Sequence, residues 1–177
     1  MYFPDLFADH GIGFAPFYFA ALKVGWLDVE HDFQKGEVAE QFLEKLFAFC
    51  VTPHLFLCGY HRCNLTSTST NSCSSRDSGM VTIERGNKQV KVGDSEFFVE
   101  TDSGLLYHAP TLIYHYVSAH HYLPPQCFIE ALLRAEPADF PSLNHPRDRE
   151  TQDDWERRLR KKAERSIEGI RLAARTV

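Results

Sequence analysis

Across residues 80–109 the chain alternates like a sheet, in three segments, MVTIERG, KQVKVGDSEFFVET and GLLYHA, punctuated by Gly86-Asn87 and Asp102-Ser103-Gly104. On both sides of this stretch the apolar period is helical. Upstream, Ala39, Phe42, Leu43, Leu46, Phe47 and Cys50 fall on one helical face, opposite Glu40, Glu44 and Lys45, and Pro53 ends the run. Downstream, TLIYHYVSAHHY follows Pro110 and stops at Pro124-Pro125, and QCFIEALLRA is a further short helix. A helix, a run of turn-linked strands and then more helices predict an α+β fold: a small antiparallel sheet with helices packed on one face.

The last segment adds a long charged helix. From Arg147 onward the chain has ten Lys/Arg against seven Asp/Glu, and the remainder has nine against seventeen. Trp155, Leu159, Ala163, Ile167, Ile170 and Ala174 form a narrow apolar stripe on it. Packing of that stripe on its own domain is the leading expectation, with partner binding or dimerisation through it as the alternative. The expected organisation is a compact α+β domain over residues 1–140, then a linker and amphipathic C-terminal helix over 141–177. Residues 1–36, rich in aromatics and glycine, read as an ordered loop region around a buried Trp26, and residues 66–75, eight of them Ser or Thr, as a mobile loop.

Composition narrows the function. With 177 residues, 44% hydrophobic, the chain can bury a real core, which excludes a disordered tail and a disulfide miniprotein. A net charge of −5 gives no general affinity for nucleic acid. The apolar start is interrupted by Asp5, Asp9, Gly11, Gly13, Pro16 and Lys23, unlike a signal peptide or a membrane span. Five cysteines, an odd number, suit reduced thiols or metal ligands in the cytoplasm better than a disulfide framework.

The richest chemistry lies in two clusters: Cys58, His61 and Cys63, with Cys73 ten residues on, and His115 with His120 and His121. Zinc takes four soft or borderline ligands, often two from a turn and two from a helix behind a hairpin, and turn, hairpin and helix occur here in that order. Cys58, His61, Cys63, His115 and His120 are the candidate metal ligands, in a zinc-knuckle-like element. His61 and Cys63 would share a face if their segment were a strand. The competing reading makes the cysteines small buried residues and His120 a satisfied core histidine. A thiol nucleophile at Cys63 would need a base, which His115 or His120 could supply through the fold. The acidic loop Asp28, Glu30, His31 and Asp32 is a weaker candidate for a cation. No phosphate-binding, dinucleotide-binding or serine-hydrolase motif occurs, and no catalytic residues are assigned.

The motifs G-W-L-D-x-x-H-x-F-x-x-G (25–36), G-x-H-x-C (59–63) and A-P-x-L-I-x-H-Y-x-x-x-H-x-Y-x-P-P-x-x-F (109–128, with one extra histidine) together resemble an uncharacterised family of small bacterial proteins. The resemblance covers residues 1–135. In the family pattern a second cysteine follows the H-x-C, and Thr66 takes its place here. The resemblance therefore implies metal ligation by His61, Cys63, His115 and His120, with Cys58 or Cys73 in the missing position; it implies no activity.

The expected function is a non-catalytic intracellular protein-binding module stabilised by one structural zinc. Two alternatives stand beside it. An immunity-type acidic inhibitor would use the acidic body against the basic cleft of a toxin or nuclease. A metal-dependent hydrolase or nuclease would use the His/Cys cluster. The expected partner is another protein, basic in the second case; no membrane is expected.

Overall fold

The computed structural model describes residues 2–65 and 80–175. The fold is α+β. A five-stranded mixed sheet is built from β1 (Ala8–Phe14), β2 (Phe17–Lys23), β3 (Leu55–Phe56), β6 (Ser95–Glu100) and β7 (Leu106–Pro110), in the order β1-β2-β7-β6-β3. β4 (Val81–Arg85) and β5 (Lys88–Val92) form a separate two-stranded hairpin around the predicted Gly86-Asn87 turn. The helices are α1 (Glu40–Val51), α2 (Ile113–His120), α3 (Gln126–Arg134) and α4 (Gln152–Ala174). No helix among the described residues is long and apolar enough to cross a membrane.

Three of these elements differ from the sequence-based expectation. Residues read as an aromatic loop form β1 and β2, an antiparallel pair whose register shifts between Asp9 and Ile12. The glycines that hide these strands in the sequence coincide with that irregularity. The sheet is mixed because β2 runs parallel to β7, with Leu22 opposite Tyr107 and Lys23 opposite His108. Of segment 54–65, whose sequence suggests a strand running into a turn, only the two residues of β3 are strand. The loop expected at residues 66–75 lies outside the described residues.

The sheet is buried on both sides, and strand alternation sorts the side chains. Phe97, Val99, Tyr107 and Ala109 face a core shared with Phe42, Leu46 and Phe49 of α1, Ile113 and Val117 of α2, and Phe128 and Leu132 of α3. Phe98, Leu106, Phe17, Phe19 and Ala21 face a second core closed by Trp155, Leu159 and Ala163 of α4. Each such fully buried large side chain contributes about 1.5–3 kcal/mol. The short helices thus lie on one face and α4 covers the other. Thr151 caps α4 by accepting from the Asp154 amide at 3.2 Å. Its buried Ser166 hydroxyl accepts from the Ala20 amide of β2 at 3.0 Å, and Trp155 Nε1 donates to the Ser142 carbonyl at 2.8 Å.

A buried polar chain runs beneath the sheet. Lys23 Nζ lies 3.2 Å from Asp9 Oδ2 and 2.9 Å from His108 Nδ1, and His108 Nε2 lies 2.6 Å from Glu96 Oε2. The lysine can only donate, so Nδ1 accepts and Nε2–H donates to Glu96. Lys23, His108 and Glu96 are each buried, and the chain lets all three be buried with partners.

Candidate metal centre

The site is set by a loop without regular structure, residues 57–65, meeting one face of α2. Two backbone hydrogen bonds hold the loop to the β5–β6 turn: Leu57 N–H donates to the Asp94 carbonyl at 2.8 Å and His61 N–H to the Gly93 carbonyl at 2.7 Å. Gly93 has φ +113°, and a Cβ there would meet the His61 carbonyl oxygen at 2.5 Å. Only glycine allows the loop this close to the turn without strain. The approach carries the chain on to Cys63, which is buried.

Cys63 meets two histidines of α2. Its Sγ is 3.3 Å from His120 Nε2, and the His115 and His120 rings stand edge to face with centroids 5.0 Å apart. Ligand atoms of Cys63, His115 and His120 all lie within 4.8 Å of one another. Positions five apart inside a helix point about 140° away from each other. His120, however, is the last residue of α2, and His121 turns the chain off in the left-handed conformation at φ 56°.

The group could hold a metal ion. Bonds of about 2.0–2.3 Å place neighbouring ligands of a tetrahedral zinc roughly 3.3–3.6 Å apart, so the Cys63–His120 separation already fits. The imidazoles are in the right protonation state: burial, followed by the neighbouring His120, pushes His115 down to about 4. Burial, then Lys35 and His121, lowers His120 as well. Neutral imidazole is the form that binds metal. His115 Nε2 is buried and makes no hydrogen bond. An orphaned buried nitrogen is costly, and a metal bond would remove that cost.

The remaining sequence candidates fall elsewhere. Cys58 is exposed. His61 is half-buried and stands edge-on to Trp26, 6.2 Å between centroids. Neither belongs to the group of three. Segment 61–65 is not a strand, so His61 and Cys63 do not share a face. Cys73 lies outside the described residues. Two determinants were missed: Gly93, sitting inside what reads as one continuous β segment, and the turn at His121, where proline signals suggest a longer helix.

The acidic loop reaches the same region. Asp28 Oδ1 accepts from His31 Nδ1 at 2.9 Å and from the Glu30 amide at 2.9 Å, and His31 stacks on Tyr2 with centroids 3.7 Å apart. A pocket of about 210 Å³ is lined by Asp28, His31, Asp32, Lys35, Leu65 and His120, among others.

A family model described as a domain of unknown function, DUF7919, matches residues 1–133. The chain belongs to the DUF7919 family. All three residues of the metal-competent group and the whole described part of the loop that carries Cys63 fall inside the matched region. No curated protein and no solved structure matches the chain.

Proposed function

We propose that this DUF7919 protein is a non-catalytic, zinc-stabilised binding module of the cytoplasm, in which the ion fastens loop 57–65 to α2 so that the loop can engage another protein. The observation that carries this reading is the convergence of Cys63, His115 and His120, with His115 Nε2 buried and unbonded. One thiolate and two neutral imidazoles are a soft-to-borderline set, suited to zinc and ill suited to magnesium or calcium. A thiolate ligand also fits a reducing compartment.

Besides burying Cys63 and Leu65 in the helix-side core, the loop makes two backbone hydrogen bonds to the β5–β6 turn, and residues 57–65 contain no helix or strand. Its outward side is apolar for a surface: Leu57 and Tyr60 are 38% and 47% exposed, next to Phe56 of β3 at 49%. Exposed aromatic and aliphatic side chains on a fixed loop are what a protein partner would bury.

The test is metal content by elemental mass spectrometry on the full chain, purified without chelator, with hydrogen exchange of loop 57–65 before and after zinc removal. The reading expects about one zinc ion per chain and at least a tenfold loss of loop protection on removal, with the sheet still protected. A folded, metal-free chain with a protected loop would refute it.

A further inference from the structure

An open groove of about 740 Å³ lies between the second half of α1 and residues 136–147. Phe47 and Phe140, both buried, line it together with the half-buried Ala48 and Val51 and the exposed Phe56. Its volume falls in the range of small-molecule pockets, about 300–1,000 Å³, and such pockets are mostly apolar with a few placed polar groups. None of its lining residues belongs to the metal-competent group.

The charges of the groove are unevenly committed. Its lining includes the carboxylates Glu44 and Glu136 and the cations Lys88 and Arg147. Each carboxylate is held by a cation from outside the groove: Lys45 lies 2.5 Å from Glu136 Oε1 and Arg85 3.6 Å from Glu44 Oε1. Among the described residues neither Lys88 Nζ nor the Arg147 guanidinium pairs with a carboxylate. Arg147 is also oriented. Its Nη2 donates to the Ala138 carbonyl and, at 3.4 Å, to the Phe140 carbonyl, while Nε and Nη1 have no acceptor among the described residues. A planar guanidinium with donors to spare suits a carboxylate, and such charge-assisted bonds are among the stronger hydrogen bonds.

We propose that this groove binds a free fatty acid. The chain lies against Phe47, Val51 and Phe140, and the carboxylate accepts from Arg147, with the Lys88 ammonium adding to the positive field. A cationic amphiphile would meet two uncommitted cations instead, and a short acid would leave the apolar lining wet. The inference goes beyond the zinc reading and uses none of its donors.

The test is isothermal titration calorimetry on the full chain with dodecanoate, hexanoate and dodecylamine, each kept below its critical micelle concentration. The expected result is about one dodecanoate per chain, with hexanoate and dodecylamine each binding at least about tenfold more weakly. Arg147→Gln should weaken dodecanoate about tenfold. Lys88→Gln should weaken it about threefold, which reads the charge preference even where Arg147→Gln loosens residues 138–140. Ala48→Trp fills the groove without changing its charge and should abolish binding while circular dichroism and melting stay native. No saturable heat with dodecanoate would overturn the inference. So would dodecylamine binding as tightly as dodecanoate, or unchanged dodecanoate binding in a folded Ala48→Trp chain, which would put the ligand elsewhere on the surface. Dodecanoate should bind equally with and without chelator, so failure of the zinc reading leaves this result standing.

Discussion

Cys63 Sγ and His120 Nε2 stand 3.3 Å apart, although 57 residues separate them along the chain. One comes from a loop with little structure of its own and the other from the final residue of a short helix. Cys63→Ser keeps the size of the side chain but replaces the soft donor. The variant is expected to lose zinc at least tenfold more readily than the native chain, by competition with a chromophoric chelator. It should keep its far-ultraviolet circular dichroism, because Cys63, although it packs in the helix-side core, belongs to no helix or strand.

Gly93 positions that loop from outside the site. At φ +113°, with the His61 carbonyl 2.5 Å from where a Cβ would stand, Gly93→Ala must push the loop away from the turn. It is expected to destabilise the protein by about 1–3 kcal/mol and to weaken zinc binding, although residue 93 touches no donor atom. Urea unfolding and chelator competition on the same sample check both effects.

His54 should make stability depend on acid. Its Nδ1 accepts from the Phe98 amide at 2.9 Å, so Nε2 carries the proton and donates to the Pro137 carbonyl at 2.7 Å. Burial pushes its pKa down to about 4. The unfolded chain, with an ordinary histidine pKa near 6.5, binds the proton first as pH falls. Stability from neutral His54 is therefore complete above about pH 6.5 and is lost between there and about 4, by on the order of 3 kcal/mol. His54→Phe should flatten this part of the pH profile in thermal melts. It should also cost about 1–3 kcal/mol at pH 8, since the Phe98 amide loses its acceptor.

Lys23 ties Asp9 to His108 inside the fold. Lys23→Met removes the cation and leaves Glu96 and His108 buried without it. The expected loss is about 3–5 kcal/mol, as for one partner taken from a buried charge network. Removing the chain as a whole, with Glu96→Gln and His108→Phe added, should cost less than the sum of the separate changes. Denaturant titration of the single and combined variants measures the difference.

Much of the fold was readable because local pattern and final structure agree. Phe42, Leu46, Phe47 and Cys50 of the predicted stripe are buried in α1, joined by Phe49; Trp155, Leu159 and Ala163 are buried in α4, and Gly86-Asn87 and Asp102-Ser103-Gly104 are turns. What was hidden is tertiary. Whether β2 pairs with β7 in parallel, or which face α4 covers, depends on contacts more than eighty residues apart that no local period encodes. β1 was masked by Gly11 and Gly13, which weaken the alternation at the very place where the strand is irregular. At the site, residue type pointed to Cys63, His115 and His120, because few other pressures put cysteine and histidine there. Cys58 was drawn in by spacing and His61 by spacing together with the family resemblance, and neither is in the group of three, where the loop follows the β5–β6 turn instead of forming a strand. Lys35 gave no signal of its own, and His31 stood out only as part of the acidic loop. Their position beside His120 appears only when Gly36 N–H meets the His121 carbonyl at 2.9 Å and brings the acidic loop to the end of α2.

The most direct test of the metal centre is X-ray absorption at the zinc edge on the full chain as purified. One sulfur at about 2.3 Å and nitrogen or oxygen neighbours at about 2.0–2.1 Å are predicted, with the sulfur absent in Cys63→Ser. A folded chain without zinc, or a zinc shell that contains no sulfur or keeps its sulfur in Cys63→Ser, would contradict the account.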